Sequence, residues 1–292
     1  MNYTIKIVDI NDPVIDLAVR HLIQLVYNMP DLLPENHLAA NLQSNASAPG
    51  FFLAAIENDK IIGSTAFLVN DFLLNGNMYT GYQTCWSVVH PDYQGRNIFT
   101  SMINEAKKIL KVQGAAFLYA ISNLKSSKTF VNKLQFSAMP SWFLRIPNIP
   151  FVRQFYFAKR PGQNDQDACI INEEQVKEHK ATQFPSAVKV VKVNESWLWG
   201  KLIIKVKFGI KVPVFYVGGI HLAEPKDLKD LISRIFKFHK VFFIQFFSCD
   251  SNSFNNMLKG WKRSKLIEFN FYYLNMPAFK HFNMMIGPLD VF

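Results

Sequence analysis

Apolar and polar positions alternate over residues 3–9, then fall into a helical spacing through Val14, Leu17, Ala18, His21, Leu22 and Leu25, behind an Asn11-Asp12-Pro13 start. The chain opens as a strand followed by a helix. Residues 31–50, with Pro30, Pro34, Pro49 and the polar run Gln43-Ser44-Asn45-Ala46-Ser47, read as a loop with one helix around 35–42, suited to covering a site. Apolar runs at 51–57 and 60–74 meet at Asn58-Asp59, and Asn75-Gly76-Asn77 gives a second hairpin signal before the run at 78–89. This predicts three antiparallel strands. A helix over 97–113 turns Ile98, Met102, Ile103, Ala106 and Leu110 to one face and ends at Gly114. A buried strand at 115–122, a helix at 123–134 with Phe130 and Leu134 inward, and strands at 136–146 and 151–158 follow.

Polar and turn-forming residues cluster at 160–167, which predicts a linker and two domains, 1–160 and 161–292. Beyond it the pattern reads helix 173–183, strands 187–193, 198–206 and 212–220, helix 226–238, strand 241–247, helix 253–261 and strand 266–274. That order repeats the first half in pattern, without a repeat of residues.

A hydrophobic content of 49% over 292 residues suffices for packed cores. No apolar run approaches the roughly 20 residues of a spanning helix, and Met1-Asn2-Tyr3-Thr4 lacks a signal-peptide pattern, so a cytoplasmic protein without a membrane span is expected. Cys85, Cys169 and Cys249 are far apart and odd in number, which argues against a disulfide framework or a Cys-x-x-Cys metal site. Charge is uneven: residues 1–150 carry 11 Lys+Arg against 10 Asp+Glu, whereas residues 151–292 carry 21 against 12. An acidic partner or simple solubility accounts for that excess.

The run Val88-Val89-His90-Pro91-Asp92-Tyr93-Gln94-Gly95-Arg96-Asn97-Ile98-Phe99 goes from strand through a proline and a glycine into the long helix. The first turn of a helix leaves backbone N–H groups unpaired, and with the helix dipole they form a site for phosphate or pyrophosphate.

Together with Asn123-Leu124-Lys125-Ser126 through Phe130 to Lys133-Leu134-Gln135-Phe136, this run resembles the GNAT superfamily of acyl-CoA-dependent N-acetyltransferases over about the first 160 residues. The resemblance implies an α/β (α+β) GNAT fold, a mixed, mostly antiparallel twisted sheet flanked by helices, followed by a second, degenerate GNAT-like domain that shapes the acceptor cleft. It implies acetyl-CoA as co-substrate and no metal. It places the thioester near the backbone of Val88 and Val89, the pyrophosphate over Gln94, Gly95, Arg96, Asn97, Ile98 and Phe99 with Thr100 next, and Asn123 beside the pantetheine arm.

Three departures stand out. The family's phosphate loop, Gln/Arg-x-x-Gly-x-Gly/Ala, meets Asn97 and Phe99 at its small positions, and Phe99 crowds the phosphates unless it turns into the core. Where many relatives carry a Tyr that protonates the leaving thiolate, this chain has Phe130, which leaves water, Ser126 or Ser127 for the proton, or Phe130 packing against the coenzyme while another residue is the acid. The strand at 78–89 holds no carboxylate. Gln83 and Thr84 can position a water, and His37, Asp71, His90, Asp290 and the terminal carboxylate of Phe292 are the candidates for the base.

In the second half, Gly218-Gly219 lacks a Gln- or Arg-led phosphate loop, and Lys201, Lys205, Lys207 and Lys211 fall partly at the spacing of one solvated sheet face. Trp197, Trp199, Tyr216, Trp261, Tyr272 and Tyr273 are stacking candidates whose ordinary role is packing. The expected activity is transfer of an acetyl or short acyl group to a primary amine of a small anionic acceptor, such as a nucleotide-linked amino sugar. Two rivals remain: an aminoacyl-tRNA-dependent peptide-bridge transferase, against which Gln94-Gly95-Arg96 argues, and a CoA-binding module without turnover. Oligomeric state has no signal in the sequence.

Overall fold

The computed structural model describes residues 3–42, 46–149, 168–171, 177, 188–207, 209–249, 267–276, 278–279 and 281–283. The chain divides into two compact units: Met1–Phe72, Met78–Ala138 and Phe269–Ala278 form the first, and Leu73–Asn77, Met139–Glu268 and Phe279–Phe292 the second. Among the described residues no helix is long and apolar enough to cross a membrane.

In the first unit, β1 (Thr4–Val8), β2 (Phe51–Glu57), β3 (Lys60–Leu74), β4 (Asn77–Val89), β5 (Phe117–Asn123) and β12 (Ile267–Tyr273) neighbour one another in that order. β1 and β3 pair antiparallel with β2, whereas β4 and β5 are parallel and need the crossover that α3 (Ile98–Val112) provides. Period-two alternation sends Phe52 and Ala54 to the face covered by α1 (Pro13–Tyr27) and α2 (His37–Leu42). Leu53, Phe67 and Val69 go to the face covered by α3 and α4 (Leu124–Leu134).

The helices begin and end where local chemistry requires. Asp12 accepts from the Val14 amide with Pro13 in the first turn, and Asn28 closes α1 in the left-handed region. Asn123 caps α4 through the amides of Lys125 and Ser126. Gly114, at φ +79°, follows α3.

The second unit has the order β6 (Ser137–Pro147), β11 (Phe243–Cys249), β10 (Ile210–His221), β9 (Ser196–Lys207), β8 (Val188–Val193). β10 and β11 are parallel across the crossover helix α5 (Asp227–His239), and the other neighbours are antiparallel. Leu228, Leu231, Ile232, Ile235 and Phe236 of α5 close one face of this sheet. Two short strands, β7 (Ala168–Ile171) and β13 (His281–Asn283), pair in parallel.

The units do not follow the division at residue 160. The expected strand at 151–158, the linker at 160–167 and the helices at 173–183 and 253–261 lie outside the described residues. The segment at 266–274, read as part of the second domain, instead supplies β12 beside β5 in the first unit. Its side chains explain why it joins there. Asn270, fully buried, accepts from Ser127 Oγ at 2.9 Å and donates to Ser122 Oγ at 2.6 Å. Phe271 stacks on Tyr119 with centroids 6.1 Å apart, and the Leu274 amide bonds the Ala116 carbonyl at 2.9 Å. Lys107 of α3 donates to the Leu134 carbonyl and lies 3.8 Å from the Tyr272 ring and 5.1 Å from Phe136.

Asn270→Ala removes the partner of two hydroxyls that stay buried, so the variant should lose about 2 kcal/mol of unfolding free energy in urea. An unchanged midpoint would contradict the tethering role of that side chain. Burial holds the Lys107 pKa down at about 8, against an ordinary lysine value of about 10.4. Between those values the unfolded chain binds more protons than the folded one, so this group makes stability rise with pH across that window. Urea titrations from pH 7.5 to 10.5 should show the rise in the native protein and a flatter profile in Lys107→Met.

Candidate active site

The site begins with an irregularity in β4. Tyr82 packs with the α3/α4 face and Val88 with the α1/α2 face, although six residues apart they would share a face in a regular strand. The extra residue is Trp86, in strand yet at φ +49°. The same shift brings Thr84 and Ser87 to one side, where Thr65 Oγ1 meets Thr84 Oγ1 at 3.1 Å and Ser87 Oγ at 2.6 Å. The ladder between β4 and β5 runs from Gly81↔Phe117 to Thr84↔Ala120. Both strands continue past it, β4 to Val89 and β5 to Asn123, so they separate after Thr84 and Ala120.

The loop after β4 is braced from behind. The His90 amide bonds the Ile62 carbonyl at 2.9 Å, Pro91–Tyr93 makes one tight turn, and Gln94 Nε2 donates back to the Val89 carbonyl at 3.3 Å. Gly95 at φ +80° and Asn97 at φ +60° then carry the backbone through two left-handed positions into α3. Asn97 makes no side-chain cap, and the first turn of α3 holds no acidic residue. Among the described residues, nothing accepts a hydrogen bond from the amides of Gly95, Arg96, Asn97, Ile98, Phe99 or Thr100. Six exposed or terminal N–H groups at the positive end of a 15-residue helix are a nest for an anion.

Side chains keep clear of that nest. Ile98 is buried against Ala55, Ile62 and Met102. Phe99 turns to the core, edge-on to Phe130 with centroids 5.5 Å apart, which removes the crowding anticipated from its size. Arg96 lies over the Tyr93 ring at 4.8 Å, and a Cβ on Gly95 would meet no atom within 4 Å.

The other expected site residues separate into those with structural bonds and those beside the gap. Gln83, 2% exposed, accepts from the Tyr119 hydroxyl at 3.2 Å, and Asn70 donates to the same hydroxyl at 2.9 Å. Asp71, 5% exposed, accepts from the Ser47 amide and hydroxyl at 3.0 and 2.8 Å and so anchors the loop before β2. Tyr82, its pKa raised by burial and by the Asp71 charge, donates to the Pro49 carbonyl of the same loop. Asn123 spends its side-chain oxygen on the α4 cap, Ser127 is tied to Asn270, and Phe130 is buried between Phe99 and Phe136. Ser126 is half-buried in the first turn of α4. His37 stands edge-on to Trp86, centroids 5.9 Å apart, beside the bulge. His90 accepts from the Asp92 amide through Nδ1. Asp290 and Phe292 lie outside the described residues.

Residues 18–135 match the family model of the acetyltransferase (GNAT) domain. The chain carries a GNAT acetyltransferase domain. This domain makes the protein an acyltransferase, and domains of the family use acetyl-CoA as donor. Among solved structures, the chain is similar to a GCN5-related N-acetyltransferase from Kribbella flavida, at 9% identity and a TM-score of 0.62, over 94% of this chain and 72% of that one. It is also similar to a conserved protein of unknown function from Enterococcus faecalis V583, named a probable N-acyltransferase, at 10% identity and a TM-score of 0.60, over 94% and 73%. Eis1 from Mycobacterium abscessus matches at 10% identity and a TM-score of 0.55, over 91% and 72%. These likenesses are of fold. No curated protein matches by sequence.

Gly95→Glu should leave the fold intact, because the new side chain enters open space. It adds left-handed strain and a negative charge at the nest, so calorimetric affinity for coenzyme A should fall at least about ten-fold, or 1.4 kcal/mol. Coenzyme A binding of native strength in that variant would remove Gly95 to Thr100 from the site.

Proposed function

We propose that this chain is an N-acyltransferase that moves an acetyl or other short acyl group from acyl-CoA to the primary amine of a small anionic acceptor, a nucleotide-linked amino sugar being a representative case. The observation that carries the donor half is the run of partnerless amides from Gly95 to Thr100 at a helix start free of acidic residues. These amides would hold the donor's diphosphate, and the gap where β4 leaves β5 would take its pantetheine arm. In that placement the backbone of Val88 and Val89 polarises the thioester carbonyl.

Transfer requires the amine nitrogen to bond the carbonyl carbon while the carbon–sulfur bond breaks, with one proton leaving the amine and one reaching the thiolate. His37 is favoured as the base. An imidazole is the stronger base beside Gln83, which accepts from Tyr119, and the His37 ring stands edge-on to Trp86 at the bulge. Ser126 or water would return the proton to sulfur, since Ser127 donates to Asn270 and a phenyl ring at Phe130 has no proton to give.

In the second unit the matching helix start is self-filled. Asp227 takes Ser196 Oγ at 2.7 Å and Asn194 Nδ2 at 3.1 Å, and Asp230 follows in the same turn. Carboxylates there repel a diphosphate, which supports reading the second unit as a degenerate relative of the first that serves the acceptor.

Thiol release from acetyl-CoA across an amine panel tests the proposal, and anionic amino sugars should be the best acceptors. His37→Gln should lower kcat about 100-fold while leaving the KM for acetyl-CoA unchanged. Saturable coenzyme binding with no thiol release from any amine would instead indicate a binding module. RNA binding that weakens steeply with salt would indicate the tRNA-dependent rival.

A further inference from the structure

The hairpin of β9 and β10 outruns the rest of its sheet. β8 begins opposite Lys201 and β11 opposite Val214, yet the pairing of β9 with β10 continues to Lys207 and Ile210. The stretch from Ile210 to Pro213, about 13 Å at the rise of a strand, therefore projects past the β11 ladder. Beyond those points neither outer edge has a strand partner among the described residues.

What the projection exposes is largely apolar. Leu202 opposes Phe215, which is buried under α5, so by alternation Ile204 and Val206 follow on the α5 side. The helix stops short of them. Its last turn ends over Phe215, where the His239 ring packs at 5.3 Å. Ile204 is 64% exposed and Val206 67%, and Ile210 at the tip is 67% exposed. Two aromatics extend the patch. Phe242, 59% exposed, donates its amide to the carbonyl of Pro213, the residue opposite Ile204, and Phe238, 66% exposed, stands in the last turn of α5.

Cations border this patch. Lys211 lies opposite Val206, Lys237 stands 5.8 Å from the Phe238 ring, and Lys240 sits between Phe238 and Phe242 in the chain, at φ +49°. All three are exposed and have no ion-pair partner among the described residues. Residues 196–221 and 231–249 contain no Asp or Glu, and the acids of α5, Asp227 and Asp230, are in its first turn at the other end.

Lysines alone are guards against edge-to-edge pairing of strands. Five large apolar side chains turned to water undo that protection, so they mark a surface that is covered in use. A second copy meeting it face to face would bring lysines against lysines. Nucleic acid offers phosphates to the lysines but no apolar layer to Ile204, Val206 and Phe238. An anionic bilayer offers both, with phosphates at its surface and acyl chains just below.

We propose that this end of the second unit docks on an anionic membrane surface, with Ile204, Val206, Ile210, Phe238 and Phe242 entering the boundary between headgroups and acyl chains and Lys211, Lys237 and Lys240 meeting the lipid phosphates. The chain then lies on the bilayer without crossing it. This docking is independent of acyl transfer at β4.

Flotation of the full chain with vesicles of equimolar phosphatidylcholine and phosphatidylglycerol is the test, with pure phosphatidylcholine vesicles beside it. Saturable binding to the mixed vesicles that weakens with salt is expected, and binding at least about ten-fold weaker to the neutral ones. The double variant Ile204→Gln/Val206→Gln keeps the net charge and should lose at least about ten-fold in affinity, as should Lys211→Gln/Lys237→Gln. Lys192→Gln, exposed toward the opposite end of the sheet, should bind as the native chain does. An unchanged Tm in each variant reports that it folds, since every substituted side chain is exposed. Absence of binding to the mixed vesicles would overturn the proposal, and retention on DNA in that case would identify a nucleic-acid surface instead. Native affinity in Ile204→Gln/Val206→Gln would overturn it too, leaving adsorption by charge alone.

Discussion

Every backbone N–H removed from water needs an acceptor, and the ladder between β4 and β5 stops supplying one after Thr84 and Ala120. The bulge at Trp86 ends the ladder there, and the loop behind it enters α3 through two left-handed residues that leave six amides over. The two defects have one structural origin, since the residue inserted in β4 sets both its departure from β5 and the point from which the loop starts. Three hydroxyls, those of Thr65, Thr84 and Ser87, satisfy one another under the bulge and hold it open.

Comparison of the two units shows how little sequence separates a helix start with unpartnered amides from a closed one. Both units place a helix in the crossover between two parallel strands. At α3 the approach is glycine, arginine and asparagine, with no acid in the first turn. At α5 two aspartates enter that turn, and one is consumed by Ser196 and Asn194.

Much of this was legible from local chemistry. Asp12-Pro13, Asn123 and Gly114 mark helix ends because capping and left-handed φ depend on those residues alone, and they fell where expected. The loop at Gln94 to Phe99 was legible for the same reason. The bulge was not, because a tryptophan at positive φ is imposed by its neighbours and has no local signature. Gln83 and Asp71 were read as candidates on residue type, yet their bonds to Tyr119 and Ser47 depend on strand register that spacing does not encode. The placement of 269–278 failed similarly: Asn270 finds Ser122 and Ser127 nearly 150 residues away, a distance no periodicity reports.

That last strand has a consequence for biosynthesis. During translation the first 138 residues emerge with β5 lacking one lateral neighbour, and the segment that completes it arrives only after some 130 further residues have been made. An unfinished β edge is a template for pairing with other chains. The nascent protein therefore stays adhesive until residues 269–278 have been made, and ribosomal stalling or premature termination upstream of residue 269 would release an aggregation-prone fragment rather than a working half.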